Sequence, residues 1–206
     1  MGDIGNLYVV AAPSGAGKTT LVKALTDSMQ DITVSISHTT RPKRPNEQDG
    51  INYHFIDSTT FDQMIAHHDF LEYAQIFGNQ YGTSKKWVEE TLAKGVDVIL
   101  EIDWQGHQQI KRLFPKSISI FILPPSLQDL KSRLETRNQD NPDIIKIRLA
   151  DAQETVAHLH EFDYTVLNDA FDRALADLQA IVAAERLREC RQSARLAPLI
   201  RQLQAG

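Results

Sequence analysis

The stretch of sequence that decides the fold is Ala12-Pro13-Ser14-Gly15-Ala16-Gly17-Lys18-Thr19. It follows the apolar run Leu7 to Ala11 and precedes a helical pattern over residues 18–29. A glycine-rich turn between a buried strand and a helix, ending in Gly-Lys-Thr, is typical of a phosphate-binding loop. Ala12 stands where the consensus has its first glycine, which costs little if the backbone φ there is negative.

The residue types in this loop match what a phosphate group requires. Gly15 and Gly17 lack a Cβ, so backbone amides can approach an anion, and the helix N-terminus that follows favours negative charge. Lys18 can reach the β- and γ-phosphates of a nucleotide, and the Thr19 hydroxyl can ligand Mg²⁺. The alternative, a glycine-rich turn that binds nothing, is disfavoured by the Gly-Lys-Thr ending directly after a strand.

Downstream of the loop, further apolar runs alternate with helical patterns. The runs lie at 96–100, 118–123 and 164–167, and the helical patterns at 105–114, 127–137 and 171–188. Strands this apolar suit a parallel sheet whose two faces are both covered. The alternation of strand and helix therefore predicts an α/β layered fold.

Two segments interrupt the alternation, and a third follows it. Residues 37–91 predict a small β-rich insertion with a proline-bounded loop. The loop is expected at 41–46, and two strands at 51–56 and 70–77. A helix is expected between the strands at 59–68, and a turn after them at 78–82. Residues 138–143 form a polar break between two helices, and Pro142 is placed to open the second. The basic tail at 187–206 is predicted to be helical.

Composition narrows the function classes. The chain has 206 residues, of which 42% are hydrophobic and 24% charged, as expected for one globular domain with small insertions. Its longest apolar run, 118–125, is far shorter than the ~20 residues that span a bilayer, and its N-terminus lacks a signal-peptide pattern. A net charge of -5 disfavours a nucleic-acid surface. The single Cys190 suits a reducing compartment, which predicts a cytoplasmic protein.

The insertion carries a cluster of phosphate-binding candidates. Arg41 and Arg44 lie three apart in a loop made rigid by prolines, so their forked guanidinium groups can grip one phosphate. Hydroxyl groups can complete such a cage, and the candidates are Ser37, Tyr53 and Tyr81. The alternative, a solvated basic loop, fits less well with a position just after the second strand of a phosphate-loop protein.

The chain resembles the guanylate kinases, in the nucleoside monophosphate kinase branch of P-loop proteins. The matching segments are 12–19, 34–45 (VSISHTTRPKRP), 70–74 (FLEYA), 77–83 (FGNQYGT), 102–106 (IDWQG) and the pair Asn168-Asp169. The resemblance covers about residues 5–186, with several motifs in the same order and spacing. It implies a P-loop NTPase core with a parallel sheet flanked by helices, a GMP-binding insertion and a short lid. The implied bounds are 5–36, 92–132 and 151–186 for the core, 37–91 for the insertion and 133–150 for the lid.

The resemblance implies a Mg²⁺-dependent enzyme that transfers the γ-phosphoryl group of ATP to GMP and gives ADP and GDP. The implied GMP-binding residues are Ser37, Arg41, Arg44, Tyr53, Glu72, Tyr81, Thr83, Glu101 and Asp103. Within this set, Glu72 would accept from guanine N1–H and the exocyclic amine, while Thr83 would donate to O6. Adenine presents the opposite pattern, and a buried unpaired polar group costs roughly 1–3 kcal/mol. Glu72 as an exposed strand residue is the alternative.

The resemblance also assigns the donor side of the site. The implied ATP-binding residues are the loop Ala12, Pro13, Ser14, Gly15, Ala16, Gly17, Lys18 and Thr19, with Arg133, Arg137 and Asn168. The implied catalytic residues are Lys18, Arg44, Arg137 and Arg148, which would neutralise charge on the transferring phosphoryl group. Thr19 and, through water, Asp103 would hold Mg²⁺. The lid departs from the family pattern at Asn138 and Asn141-Pro142, which puts its closure kinetics in question.

Alternatives from other classes remain at this stage. A guanylate-kinase-like scaffold domain would bind proteins without catalysis, but such domains typically lose the phosphate loop that is intact here. A GTPase would need an Asn-Lys-x-Asp element, which the sequence lacks. A related kinase acting on another phosphorylated acceptor is the closest competitor, and Glu72 with Thr83 favours GMP over that acceptor.

Overall fold

Strands and helices follow one another along the chain in a computed structural model that describes residues 4–136 and 142–205. The strands are β1 Leu7–Ala11, β2 Ile32–Val34, β3 His38–Thr39, β4 His54–Phe55, β5 Phe70–Ile76, β6 Asn79–Ser84, β7 Asp97–Glu101, β8 Ile118–Leu123 and β9 Tyr164–Leu167. The helices are α1 Lys18–Ser28, α2 Ser58–Ala66, α3 Lys85–Ala93, α4 Trp104–Leu113, α5 Leu127–Thr136, α6 Pro142–Ala157, α7 Phe171–Arg186, α8 Glu189–Arg195 and α9 Ala197–Gln204. A 3-10 turn, Leu159–Glu161, follows α6.

The larger sheet has the order β2-β7-β1-β8-β9, and all of its strands run parallel. Helices cover both faces, so β1 is buried at every position. On one face, Tyr8 packs in a cluster with Leu21 of α1. On the other, Val9 packs in a cluster with Val88 of α3 and Ile110 of α4. The α/β class with a parallel sheet flanked by helices is therefore confirmed.

The carboxyl ends of the parallel strands place the polar segments side by side. The loop 12–17 connects β1 to α1, and β7 leads directly into α4. Val10 of β1 pairs with Glu101 of β7, so both connections leave the sheet at the same edge. Asp103 caps α4 by accepting a hydrogen bond from Gly106 N at 2.8 Å. Ligands in open α/β folds bind at this edge of the sheet.

The insertion forms a second sheet with the order β4-β3-β6-β5. The prediction of a turn over residues 78–82 is wrong, because Asn79–Ser84 is a strand paired antiparallel with β5. The turn consists only of Phe77 and Gly78, whose φ angles are 48° and 77°. Two residues at positive φ close a tight hairpin in which Ile76 pairs with Asn79.

The strand predicted at 51–56 is also mostly wrong, since only His54–Phe55 is extended. The preceding residues fold back on themselves, because Ile51 N and Asn52 N both donate to Gln48 O. The helix predicted nearby begins one residue early, at Ser58, where Asp57 caps it by accepting from Thr60 N.

Helix predictions elsewhere agree in position with the structure and differ at the ends. The break at residues 138–143 falls largely outside the described residues, and α6 begins at Pro142. The final helix of the core ends at Arg186, and the tail beyond it forms the short helices α8 and α9. No helix within the described ranges is long and apolar enough to cross a membrane.

Candidate active site

A cavity of about 380 Å³ lies at the carboxyl edge of the parallel sheet, between the loop 12–17, the β5–β6 hairpin, the start of α4 and helix α6. Most of the residues predicted from the sequence line it. These are Ala12, Pro13, Ser14, Gly15, Gly17, Lys18, Thr19, Ser37, Arg44, Tyr53, Glu72, Tyr81, Glu101, Asp103 and Arg148. Segments far apart along the chain thus share one candidate active site.

The phosphate-binding loop takes its shape from two glycines. Gly15 and Gly17 have φ angles of 94° and 92°, a region that residues with a side chain rarely adopt. A Cβ on Gly17 would also lie 2.5 Å from the Asn168 side chain. Ala12 is not among the described residues with positive φ, so the missing consensus glycine causes no backbone strain.

Some of the predicted ATP-binding residues support the loop from behind instead of lining the cavity. Asn168 Nδ2 donates to Ala16 O at 2.7 Å, and Arg133 donates to the same oxygen at 3.3 Å. Arg133 also donates to Asn168 O at 3.2 Å. These contacts of Asn168 and Arg133 hold the loop backbone in place.

Cationic and anionic groups face each other at the mouth of the loop. Lys18 Nζ donates to Ile102 O at 3.3 Å. Burial lowers the pKa of Lys18, while Glu101, Asp103 and Glu72 oppose that shift. The fields of these carboxylates favour the charged amine but do not reverse the downward shift of the Lys18 pKa.

An oxygen-rich corner beside Lys18 fits Mg²⁺. Thr19 Oγ1 donates to Glu101 Oε2 at 2.8 Å, and Asp103 lines the same cavity. Burial raises the pKa of Asp103. The described residues contain no cluster of three or more His, Cys, Asp or Glu able to cage a metal. Hydroxyl and carboxylate oxygens in small number suit Mg²⁺, which keeps water and takes phosphate oxygens as its remaining ligands.

The base-reading candidates form a buried pair on neighbouring strands. Glu72 and Thr83 are 4% and 1% exposed, and Thr83 Oγ1 donates to Glu72 Oε1 at 2.5 Å. Glu72 lines the cavity, whereas Thr83 stands behind it. Burial raises the pKa of Glu72 to about 7, although the hydrogen bond from Thr83 lowers it in part. A carboxylate held this way can accept two donors from one edge of a flat ligand.

The phosphate-binding candidates of the insertion separate into two groups. Arg44 lines the cavity together with Ser37, Tyr53 and Tyr81. Arg41 does not line it, because its guanidinium forms two hydrogen bonds with Glu47, at 2.7 and 3.0 Å. The Arg41 guanidinium also lies 5.4 Å from the centroid of the Tyr53 ring.

Glu47 is a functional candidate that the sequence analysis missed. One of its oxygens also accepts from Arg44 N at 2.8 Å, so it closes the arginine loop on itself. The available signal was its position, as the first acidic residue after the arginine pair.

Helix α6, which carries most of the described part of the predicted lid, reaches the phosphate-binding loop. Arg148 Nη1 donates to Ser14 Oγ at 3.5 Å, and Asp151 and Thr155 of the same helix line the cavity. Burial raises the pKa of Asp151. Arg137, the other predicted catalytic arginine of the lid, lies outside the described residues.

Comparisons with known proteins agree with this geometry. The family model described as guanylate kinase matches residues 4–185. A guanylate kinase of Alcanivorax borkumensis is 55% identical over 205 residues, which cover 100% of this chain and 99% of that protein. A guanylate kinase of Hahella chejuensis is 58% identical over 184 residues, covering 89% and 88%.

A solved structure agrees as well. The crystal structure of guanylate kinase from Anaplasma phagocytophilum matches with a TM-score of 0.78 and 30% identity, covering 92% of this chain and 90% of that one. The family match spans the P-loop, the insertion and the described lid helix, which are the segments that build the cavity. The chain therefore belongs to the guanylate kinase family.

Proposed function

We propose the following division of labour for the reaction of this guanylate kinase, the transfer of the γ-phosphoryl group of ATP to GMP to give ADP and GDP. The loop 12–17 and Lys18 hold the phosphates of ATP. Arg44, with the hydroxyls of Ser37, Tyr53 and Tyr81, holds the phosphate of GMP. The support for this division is that both sets line one cavity.

The observation that carries the choice of GMP is the buried pair of Glu72 and Thr83. Guanine presents N1–H and its 2-amino group as neighbouring donors, which a carboxylate can accept together. Adenine presents an acceptor at N1, which would face the Glu72 oxygen without a partner. Because the pair is buried, such a mismatch costs more than it would in water.

The transfer requires no protein nucleophile. A phosphate monoester has its second pKa near ~6, so the attacking oxygen of GMP is already largely deprotonated at pH 7. Lys18, Arg44 and Arg148 then neutralise the charge that spreads over the phosphoryl oxygens, and Arg137 is proposed to join them. Thr19 and, through water, Asp103 would hold Mg²⁺, with Glu101 nearby, and the ion would supply further positive charge to the phosphates.

Closure of the lid and the insertion over both substrates is the expected conformational step. It excludes water, which otherwise would accept the phosphoryl group and make the enzyme an ATPase.

The exposed and unpaired Cys190 is consistent with a reducing compartment, so we place the reaction in the cytoplasm.

A coupled assay of ADP release tests the proposal, with GMP, AMP, CMP and UMP as competing acceptors and with Mg²⁺ present or chelated. GMP should be the preferred acceptor by a wide margin, and chelation should abolish turnover. Equal use of another monophosphate would contradict the base-reading assignment, and unchanged turnover in chelator would contradict the metal assignment.

A further inference from the structure

Strand β5, which carries Glu72, lies at the edge of the insertion sheet, and its outer side meets helix α4 of the core. Gln109 of α4 binds this edge with both ends of its amide. Its Oε1 accepts from Tyr73 N at 3.2 Å, and its Nε2 donates to Tyr73 O at 2.8 Å. The side chain thus satisfies the backbone groups of Tyr73 as a neighbouring strand would.

An irregularity in the same strand lies directly beside Glu72. Phe70 pairs with Ser84 and Glu72 pairs with Thr83, so Leu71 has no partner on β6. Leu71 is buried in the core cluster with residues of β1, and Glu72 lies at the cavity. A bulge disrupts the ladder locally and can re-aim a side chain, so contacts on the outer side of β5 can hold the orientation of Glu72.

Helix α4 supplies a second contact, one turn from the first. A Cβ on Gly106 would lie 2.7 Å from Glu72 Oε2 and 3.1 Å from Ile102 Cδ1. The Glu72 carboxylate therefore occupies space that is available only because residue 106 has no side chain. Gly106 and Gln109 are three residues apart on the helix, so they present one face to β5.

We propose that Gly106 and Gln109 are positioning residues that determine base specificity, because together they fix Glu72 against α4. Gly106 leaves room for the carboxylate, and Gln109 locks the neighbouring backbone. This inference rests on the proposed role of Glu72 as the base reader. Because Asp103 caps the same helix, α4 also sets the distance between the base-reading carboxylate and the phosphate end of the cavity.

The neighbouring residue Gln108 offers a matched control. Its Nε2 donates to Glu161 Oε2 at 3.0 Å, beyond the end of α6 and away from β5. Trp104 of α4 stacks on His158, the residue directly after α6, with 3.7 Å between ring centroids, which ties the helix to the same region. Gln108 and Gln109 thus have the same chemistry on the same helix but hold different parts of the protein.

The first arm of the test is Gly106→Ala. The atoms nearest the new methyl group belong to the side chains of Glu72 and Ile102 and not to the backbone, so the fold should persist while the carboxylate moves. Alanine also favours the helix more than glycine does. We expect kcat/KM for GMP to fall about 10-fold, the KM for ATP to stay within about twofold, and the preference for GMP over inosine monophosphate to shrink.

The second arm compares Gln109→Met with Gln108→Met. Methionine keeps the length and apolar stem of glutamine but removes both hydrogen bonds. Gln109→Met should raise the KM for GMP by about 5- to 10-fold and shrink the preference for GMP over inosine monophosphate. Gln108→Met should leave that preference unchanged. Circular dichroism at the assay temperature establishes that each variant is folded, and if Gly106→Ala fails to fold, the glutamine pair decides.

A third arm, Glu72→Gln, separates this inference from the proposed function. If Glu72→Gln reduces the GMP preference but Gly106→Ala and Gln109→Met do not, the positioning role is overturned and the base reader stands. An equal effect of Gln108→Met and Gln109→Met would also overturn it, as a general effect of damaging α4. If Glu72→Gln leaves the preference intact, the proposed base reader itself is wrong.

Discussion

The phosphate-binding loop and the proposed base-reading corner are built in different ways. The loop is one contiguous stretch whose shape follows from its backbone, with Gly15 and Gly17 at positive φ. The base-reading corner is assembled from side chains on separate elements, with Glu72 on β5, Thr83 on β6 and Gly106 on α4. A local motif determines the first site, whereas the second depends on tertiary packing. Damage to the two should therefore have different kinetic signatures.

The largest effect is expected at the loop. Lys18→Ala removes the cation at the cavity end of the loop, and kcat should fall by at least ~10², the scale of a lost contact to transition-state charge. GMP affinity, measured by equilibrium titration, should change little because the insertion is untouched. Lys23→Ala is the control, since this exposed lysine of α1 pairs only with Asp27 among the contacts of the described structure. Near-normal turnover by folded Lys18→Ala would refute the role of Lys18.

The next effect concerns the base-reading corner. One lost hydrogen bond to a charged group is worth roughly 1.5–3 kcal/mol, or about 10- to 150-fold in kcat/KM. Wild-type enzyme should therefore prefer GMP to inosine monophosphate by that factor, and AMP should be poorer still. Glu72→Gln should reduce the differences in kcat/KM between these substrates, chiefly by lowering kcat/KM for GMP, and should leave the KM for ATP unchanged. A wild-type enzyme that uses AMP as well as GMP would contradict the assignment.

The same contrast explains what the sequence could predict. The loop, the parallel sheet and its flanking helices were predictable because each depends on local patterns: an apolar run, a helical period and a Gly-Lys-Thr ending. Glu72 was identified only through the family resemblance, since nothing local indicates that an acidic strand residue is 4% exposed. The contact of Gln109 with Tyr73, 36 residues away on another element, has no signal in the sequence alone.

The wrongly predicted turn and strand both lie in the insertion. Residues 78–82 were predicted to form one broad turn, but only Gly78, with Phe77, makes the turn, and Gly82 lies in β6. Gly82 is needed there because a Cβ would lie 2.8 Å from the ring of Phe70. Turn chemistry and close packing both select glycine, and only the structure distinguishes them. Glu47 escaped notice because its pairing with Arg41 depends on the shape of the loop.

A smaller effect should appear in the pH dependence of GMP use. Burial raises the pKa of Glu72 to about 7, so lowering the pH from 8 to 6 should protonate most of it and weaken GMP binding about tenfold. Without ligand, the stability of the protein depends on pH in the opposite direction to GMP binding. Between pH 4.5 and 7 the native state binds a proton on Glu72 that the unfolded chain does not, so the contribution of Glu72 to the free energy of unfolding is lost as pH rises. The phosphate of GMP titrates in the same pH range, but it contributes equally to the pH profiles of the wild-type enzyme and of Glu72→Gln. A wild-type pH profile that matches the variant's would show that Glu72 is not titrating.

The smallest expected effect concerns the pH dependence of protein stability, to which His38 of the insertion contributes. His38 of the insertion lies 4.7 Å from His54 between ring centroids, and its buried Nδ1 has no hydrogen-bond partner among the described residues. Burial, and then His54, lowers the pKa of His38 to about 4, while Asp49 opposes the shift. The unfolded chain therefore binds a proton that the native state excludes, so stability is full above about pH 6.5 and falls as pH drops toward 4. One such group contributes a slope of at most about 1.36 kcal/mol per pH unit.

His38→Phe keeps an aromatic ring and leaves no new unpaired polar group, so it should flatten that slope in urea unfolding, whereas the exposed His67→Gln should not. Hydrogen exchange at pH 5 should accelerate in β3 and β4 before it does in β1. Equal acceleration in β1, or an unchanged slope in His38→Phe, would show that the insertion is not the acid-sensitive part.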